Sequence, residues 1–198
     1  MKNTTALLAN QFPVAIWLTG LSGAGKTTIA ESLKRKFEEQ NIFSVIIDGD
    51  ALRCTINKNL GYTEEDRKEN VRRAAEIANL FLENNIVAIC TFMSPSEDIR
   101  QLAKQIIGIE KFYEVYIKAS IQNCVDRDVK GLYAKYKSGE LQNMSGIDSL
   151  YQEPLHPFLV IDTNELSAEV SSTLLYDRMI ALIQRSAEYT KINHDQCM

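Results

Sequence analysis

Short apolar, β-branched runs alternate along the chain with longer segments whose apolar residues recur at helical spacing. The runs Val14 to Thr19, Phe43 to Asp48, Ile86 to Phe92, Phe112 to Lys118 and Phe158 to Asp162 predict five strands. All but the fourth are nearly apolar throughout, as strands are when helices cover both faces of a parallel sheet. Between them, Ile29, Leu33 and Phe37 stand at i, i+4 and i+8, and Ala74, Ala78 and Leu82 repeat that spacing. A last helix is predicted over Leu175, Met179 and Leu182. Thr63 followed by Asp66 has capping-box spacing, and Ser96 with Glu97 and Asp98 puts acids where a helix start prefers them. The alternation predicts an α/β fold, a five-stranded parallel sheet with helices on both faces.

One stretch breaks the pattern. From about 129 to 157 the chain is rich in Gly, Lys, Ser, Asn and Tyr and has no sustained apolar period. An irregular stretch of that length inside a compact domain is usually functional, and here it predicts a lid segment. Residues 1–12 are expected to be a short N-terminal extension and residues 187–198 a polar tail. No repeat or linker divides the rest, so one domain is expected over 198 residues.

Composition narrows the function classes. With 45% hydrophobic and 24% charged residues the chain reads as an average globular protein, which disfavours disordered or disulfide-scaffold classes. A net charge of -4 offers no basic footprint for nucleic acid. Cys54, Cys90, Cys124 and Cys197 form no CxxC pair, and the longest apolar run falls short of a membrane span. These absences lead to the expectation of a reduced cytoplasmic location, with no nucleic-acid or membrane partner.

The strongest chemical signal is Gly20-Leu21-Ser22-Gly23-Ala24-Gly25-Lys26-Thr27, a GxxxxGK[ST] phosphate loop between a predicted strand and a predicted helix. Its glycines let successive N–H groups point at phosphate oxygens, aided by the positive end of the helix. Lys26 would then bridge the β- and γ-phosphates of a nucleotide and Thr27 would ligate Mg²⁺. Asp48-Gly49-Asp50 ends the second strand on the same carboxyl edge of the sheet. Two carboxylates there can hold Mg²⁺ through water and take a proton from an attacking hydroxyl, although such a tripeptide is by itself often a turn.

Downstream, Arg53, Arg67, Arg72 and Arg73 are interleaved with Glu64, Glu65, Asp66 and Glu69, so an ion-paired solvated helix face stays open beside a ligand-binding role. Phe92-Met93-Ser94-Pro95 ends the third strand, where a loop and a hydroxyl could meet a substrate anion. Arg127, Lys130, Lys135 and Lys137 open the irregular region, either as a lid over phosphates or as a flexible basic loop.

Taken together, the phosphate loop, Asp48-Gly49-Asp50 with Arg53, Gly61 to Arg67 with Asn70 and Arg73, Phe92 to Pro95, Arg127 to Tyr133 and Ser145 to Asp148 resemble the adenylylsulfate (APS) kinase family over about Val14 to Ile183. The resemblance implies a P-loop kinase fold and phosphorylation of the 3′-hydroxyl of APS by ATP with Mg²⁺. It also implies roles. The phosphate loop through Thr28, with Arg127, would bind ATP. Asp50 would be the general base, Asp48 would help Thr27 organise Mg²⁺, and Lys26 would serve transfer. Arg53, Arg67 and Asn70 would hold the acceptor, with Tyr62 stacking on its base and Met93, Gly131, Leu132 and Met144 nearby. Lys130 would lie over the sulfate or the transferring phosphate. Ser94 stands where the family carries a serine once regarded as a phosphorylated intermediate. Direct in-line transfer needs no such carrier, so Ser94 is expected to be a substrate contact. The family is commonly homodimeric.

Departures cluster at the acceptor base. Met144 replaces the family's phenylalanine, Tyr62 another, and Ser149-Leu150-Tyr151-Gln152-Glu153 stands for the usual acidic continuation. A different acceptor, such as a cytidine diphosphoramidate, is therefore a second reading. A regulatory nucleotide-binding module is a third. As a GTPase it lacks its base-reading element, because Asn57-Lys58-Asn59-Leu60 has no aspartate.

Overall fold

A computed structural model describes residues 11–129, 131–140 and 146–184. All five predicted strands form, trimmed by at most one residue at an end: β1 (Ala15–Thr19), β2 (Ser44–Asp48), β3 (Val87–Thr91), β4 (Phe112–Lys118) and β5 (Leu159–Asp162). They make one parallel sheet in the order β2-β3-β1-β4-β5. The register sets Asp48 opposite Thr91, and Leu18 opposite both Thr91 and Val115. The carboxyl ends of β1, β2 and β3 therefore come level, which is where ligands bind in such sheets.

Alternation along β1 divides the core between two faces. Ile16 and Leu18 join Ile29, Leu33 and Phe37 of α1 (Lys26–Glu39) and Leu175 and Met179 of α7 (Ala168–Gln184). On the other face, Ala15 and Trp17 join Ala74, Ala78 and Leu82 of α3 (Glu64–Glu83) and Ile99, Ala103 and Ile107 of α4 (Glu97–Ile107). Every residue of β1 is buried, so each of its side chains has a helix to pack against. Truncating one fully buried member such as Leu33 to alanine costs roughly 2–5 kcal/mol.

Two of the predicted helix starts behave differently. Thr63 caps α3 by accepting from Asp66 N at 3.2 Å. Ser96 does not cap α4: its hydroxyl donates to Asp98, and the Glu97 N–H is taken instead by Gln152 Oε1 at 3.0 Å. In α7 the residue fully buried one turn after Met179 is Ile183, while Leu182 is half-buried.

Three short helices complete the chain. α2 (Gly49–Arg53) follows β2 directly, α5 (Ile121–Arg127) follows β4, and α6 (Leu132–Lys137) lies inside the stretch expected to be irregular. Tyr133 is the one buried residue of α6, so the sequence carries no repeating apolar signal there.

Candidate active site

The phosphate loop leaves β1 through a backbone that only glycine can follow. Gly20 has φ +148°, and a Cβ there would lie 2.3 Å from the carbonyl oxygen of Ile117. Gly23, at φ +79°, passes so near α5 that a Cβ would meet Cys124 O at 2.9 Å. The buried Cys124 is thus the floor of the loop, and burial holds its thiol above the usual range. Lys26 Nζ donates to the carbonyls of Gly20 at 2.8 Å and Leu21 at 2.7 Å, which curls the loop around its own ammonium. Tyr133 Oη donates to Ser22 O at 3.0 Å and ties α6 to the loop tip.

Asp48 joins three elements. Its Oδ2 accepts from Thr27 Oγ1 at 3.0 Å and from Thr91 Oγ1 at 2.6 Å, while Oδ1 accepts from the N–H groups of Asp50 and Ala51 at 2.9 and 3.1 Å. It therefore caps α2 and holds that helix beside the phosphate loop. The pair Thr27 and Asp48 presents hard oxygen donors, the chemistry that suits Mg²⁺. Among the described residues no cluster of three or more His, Cys, Asp or Glu could hold a metal ion by itself. A magnesium ion here would have to take its remaining ligands from phosphate and water, as it commonly does with nucleotides.

One cleft of about 640 Å³ gathers the predicted residues. Ser22 through Thr28, Asp48, Asp50, Arg53, Tyr62, Arg67, Asn70, Met93, Ser94, Arg127 and Leu132 all line it. Gly20 and Leu21 support it through the carbonyls that Lys26 holds. Gly131, at φ +65°, is the turn residue that starts α6. Lys130 and Met144 lie outside the described residues.

The four arginines separate into two pairs. Arg72 and Arg73 both bind Glu69 at 2.7 Å, and together they hold its carboxyl down at about 2. They form the ion-paired helix face. Arg53 and Arg67 instead stack near Tyr62, their guanidinium carbons 4.9 and 5.7 Å from its ring centre. Burial lowers the pKa of both from the ordinary arginine value, yet arginine stays charged at neutral pH. This end of the cleft is thus cationic and aromatic, a chemistry suited to an anion carrying a flat ring. Asn57, from the segment without a GTPase aspartate, is fully buried and donates to Asn70 Oδ1 at 2.8 Å, so it supports the cleft wall.

Next to this cluster lies the turn after β3, whose Met93 Sδ is 3.7 Å from Arg67 Nη1. Ser94 adopts φ +45°, uncommon for a residue with a side chain, and is 2% exposed. Its Oγ accepts from the indole Nε1 of Trp17 at 3.0 Å. Thr19 Oγ1 holds the Met93 carbonyl at 2.7 Å and lies 3.1 Å from Tyr151 Oη. Burial pushes the Tyr151 phenol up to about 12, against the opposing effects of the Thr19 hydroxyl and the Arg100 charge. Arg127, at the far side, grips Thr163 O at 2.6 Å.

Sequence reasoning did not single out Trp17, Thr91, Arg100 or Thr163, and it named Tyr151 only within the altered stretch Ser149 to Glu153. A tryptophan in an otherwise aliphatic strand is a detectable sign, because a buried indole N–H needs an acceptor.

Comparison with known proteins agrees with this geometry. The sequence profile described as adenylylsulphate kinase matches residues 12–162. The chain is 46% identical over 178 residues to the adenylyl-sulfate kinase of Bacteroides thetaiotaomicron, covering 90% of this chain and 89% of that one. It is 47% identical over 162 residues to the adenylyl-sulfate kinase of Pseudomonas aeruginosa, covering 82% and 83% of the two chains. The fold superposes on an APS kinase from Mycobacterium tuberculosis, solved in complex with AMPPNP and APS. There the TM-score is 0.81 and the identity 36%, over 84% of this chain and 97% of that one.

Proposed function

The chain belongs to the adenylylsulphate kinase family, and on that premise we propose that it moves the γ-phosphoryl group of ATP onto the 3′-hydroxyl of adenylylsulfate. The products are 3′-phosphoadenylylsulfate and ADP. The observation that carries this reading is that Lys26 and Asp50 line one cleft, together with the Arg53, Tyr62 and Arg67 cluster. A donor phosphate at the loop and an acceptor sugar at the cluster would meet between them.

Each residue then has a task. The loop from Ser22 to Thr28 supplies N–H groups to the phosphates, and Lys26 swings from its loop carbonyls to the transferring group. Thr27 and Asp48 would hold Mg²⁺, which supplies charge neutralisation on the phosphate oxygens. Asp50 accepts the proton of the acceptor 3′-hydroxyl as that oxygen bonds to phosphorus and the bond from phosphorus to the bridging oxygen of ADP breaks. Arg53 and Arg67 neutralise the acceptor anion and Tyr62 stacks on its base. Asn70, Met93, Gly131 and Leu132 complete the acceptor walls, and Arg127 sits on the ATP side. Lys130 and Met144 belong to the same proposal as acceptor contacts, as do a homodimeric assembly and a cytoplasmic location.

The Trp17 contact at the Ser94 hydroxyl supports direct transfer, because that oxygen is held beneath the turn as an acceptor. Ser94 then acts as a wall of the acceptor site. Incubation with MgATP and APS tests the reading: ADP is released in proportion to APS consumed. Release no greater than in the control without acceptor rejects it, and a higher kcat/KM with a cytosine acceptor moves the assignment to the other base.

A further inference from the structure

Arg100 is 1% exposed, and no step above uses it. Burying a guanidinium is expensive, and a long apolar side chain would fill the same volume without that cost. Its polar contacts must therefore explain its presence. Nη1 donates to Ser94 O at 2.9 Å and to Gln152 O at 2.8 Å. Nη2 donates to Glu97 Oε2 at 2.7 Å, and Nε lies 3.0 Å from Glu114 Oε1. Burial raises the Glu114 carboxyl, and the Arg100 charge opposes that shift.

These contacts join parts that are distant in sequence. Ser94 belongs to the turn that walls the cleft, Glu97 opens α4, Glu114 lies on β4, and Gln152 belongs to the segment returning to β5. Gln152 adds two bonds of its own, from its N–H to Pro95 O at 2.8 Å and from Glu97 N to its Oε1 at 3.0 Å. The turn and the returning segment, bonded to each other at Gln152, both line a second cleft of about 430 Å³, together with Tyr62 and Arg67 among others. That cleft shares Tyr62, Arg67 and Pro95 with the main one.

We propose that Arg100 is a positioning residue for the acceptor: by holding the Ser94 and Gln152 carbonyls on one nitrogen, it fixes the turn and the returning segment together as a wall of the acceptor cleft. The two carbonyls on Nη1 belong to the turn after β3 and to the segment lining the second cleft, and none of the four partners lies in the phosphate loop. The inference rests on the kinase reading above and adds a determinant of acceptor affinity to it.

The test is steady-state kinetics of Arg100→Lys and Arg100→Met against wild type, with KM for APS and for ATP measured separately. A lysine keeps the charge beside Glu114 and lacks the planar fork that serves several acceptors at once. The expected result is a rise of roughly tenfold in KM for APS, with kcat and KM for ATP within about twofold, in variants whose melting remains cooperative. If neither Arg100 variant folds, Glu97→Ala, which removes the side-chain acceptor of Arg100 Nη2, decides through the same split, with an expected rise of about threefold in KM for APS alone. Folded variants with an unchanged KM for APS, or with both KM values rising together, overturn the role of Arg100. Absence of APS turnover in the wild type rejects the kinase reading instead.

Discussion

The hydroxyl of Thr27 donates to Oδ2 of Asp48 at 3.0 Å, so the last residue of the phosphate loop and the last residue of β2 meet side chain to side chain. That bond fixes the acidic corner of the cleft relative to the loop before any ligand arrives. It also makes Asp48 both a helix cap and a prospective metal ligand, and the two roles can be separated.

Asp48→Ala is expected to lower stability by about 1–2 kcal/mol through loss of the α2 cap. Independently, it raises the Mg²⁺ concentration needed for half-maximal activity. Denaturant melts and a magnesium titration of the rate measure the two effects. An unchanged magnesium requirement removes Asp48 from the metal site.

Asp50→Ala is expected to lower kcat by about 10²-fold or more, with ATP affinity changed by less than about threefold, because a base acts in the transition state. Single-turnover rates with nucleotide titrations check this. Near-normal turnover would show that another group, or water, takes the proton.

Ser94→Ala leaves the Trp17 indole N–H buried without its partner, which costs about 1–3 kcal/mol of stability. Transfer should persist, with kcat within about fivefold of wild type, since the proposed direct transfer carries no phosphate on the serine. Abolished turnover in a folded Ser94→Ala protein would restore the covalent intermediate.

The fold was legible where burial repeats. The central strands β1 and β3 stand out because helices cover both of their faces, which leaves apolar runs bounded by polar turns, whereas β4 carries Glu114 inside its run. Thr63 was legible as a cap because capping chemistry is local. By contrast, α2 follows β2 with no turn between, and its cap Asp48 reads in the sequence as one end of a turn. The α6 helix has one buried residue, and its start depends on Asp128, whose carboxylate accepts from Tyr133 N and Ala134 N at 3.0 and 2.9 Å.

The site was legible through its motifs, whose spacing is set by the ligand. Its supporting residues were not, because their partners are far along the chain. Trp17 and Ser94 are 77 positions apart, and Arg100 and Gln152 are 52 apart. Among the four arginines, the local pattern puts all of them among acids, and it was the family resemblance that assigned Arg53 and Arg67, not Arg72 and Arg73, to the acceptor. In three dimensions Tyr62 lies beside Arg53 and Arg67.

Glu69 gives a pH prediction. Its carboxyl is held at about 2 in the folded chain by hydrogen bonds from Arg72 and Arg73, below the ordinary carboxylate value. A depressed folded pKa contributes stability above the unfolded pKa, near 4.3, and that contribution is lost as pH falls toward 2. Because the group is largely solvated, its worth is about 1 kcal/mol or less. Glu69→Gln should therefore melt slightly below wild type at pH 7, with the difference closing on acidification. A difference that persists unchanged at pH 2 would contradict the assignment.

The central claim is that one cleft aligns a nucleotide γ-phosphate with the ribose 3′-hydroxyl of adenylylsulfate. The most direct measurement is to supply γ-labelled ATP with APS and locate the label in the product by phosphorus NMR. The account predicts a new phosphomonoester at the 3′ position, formed in step with ADP and lost in Asp50→Ala. A label found at any other position, or ADP formed without a phosphorylated acceptor, would contradict it.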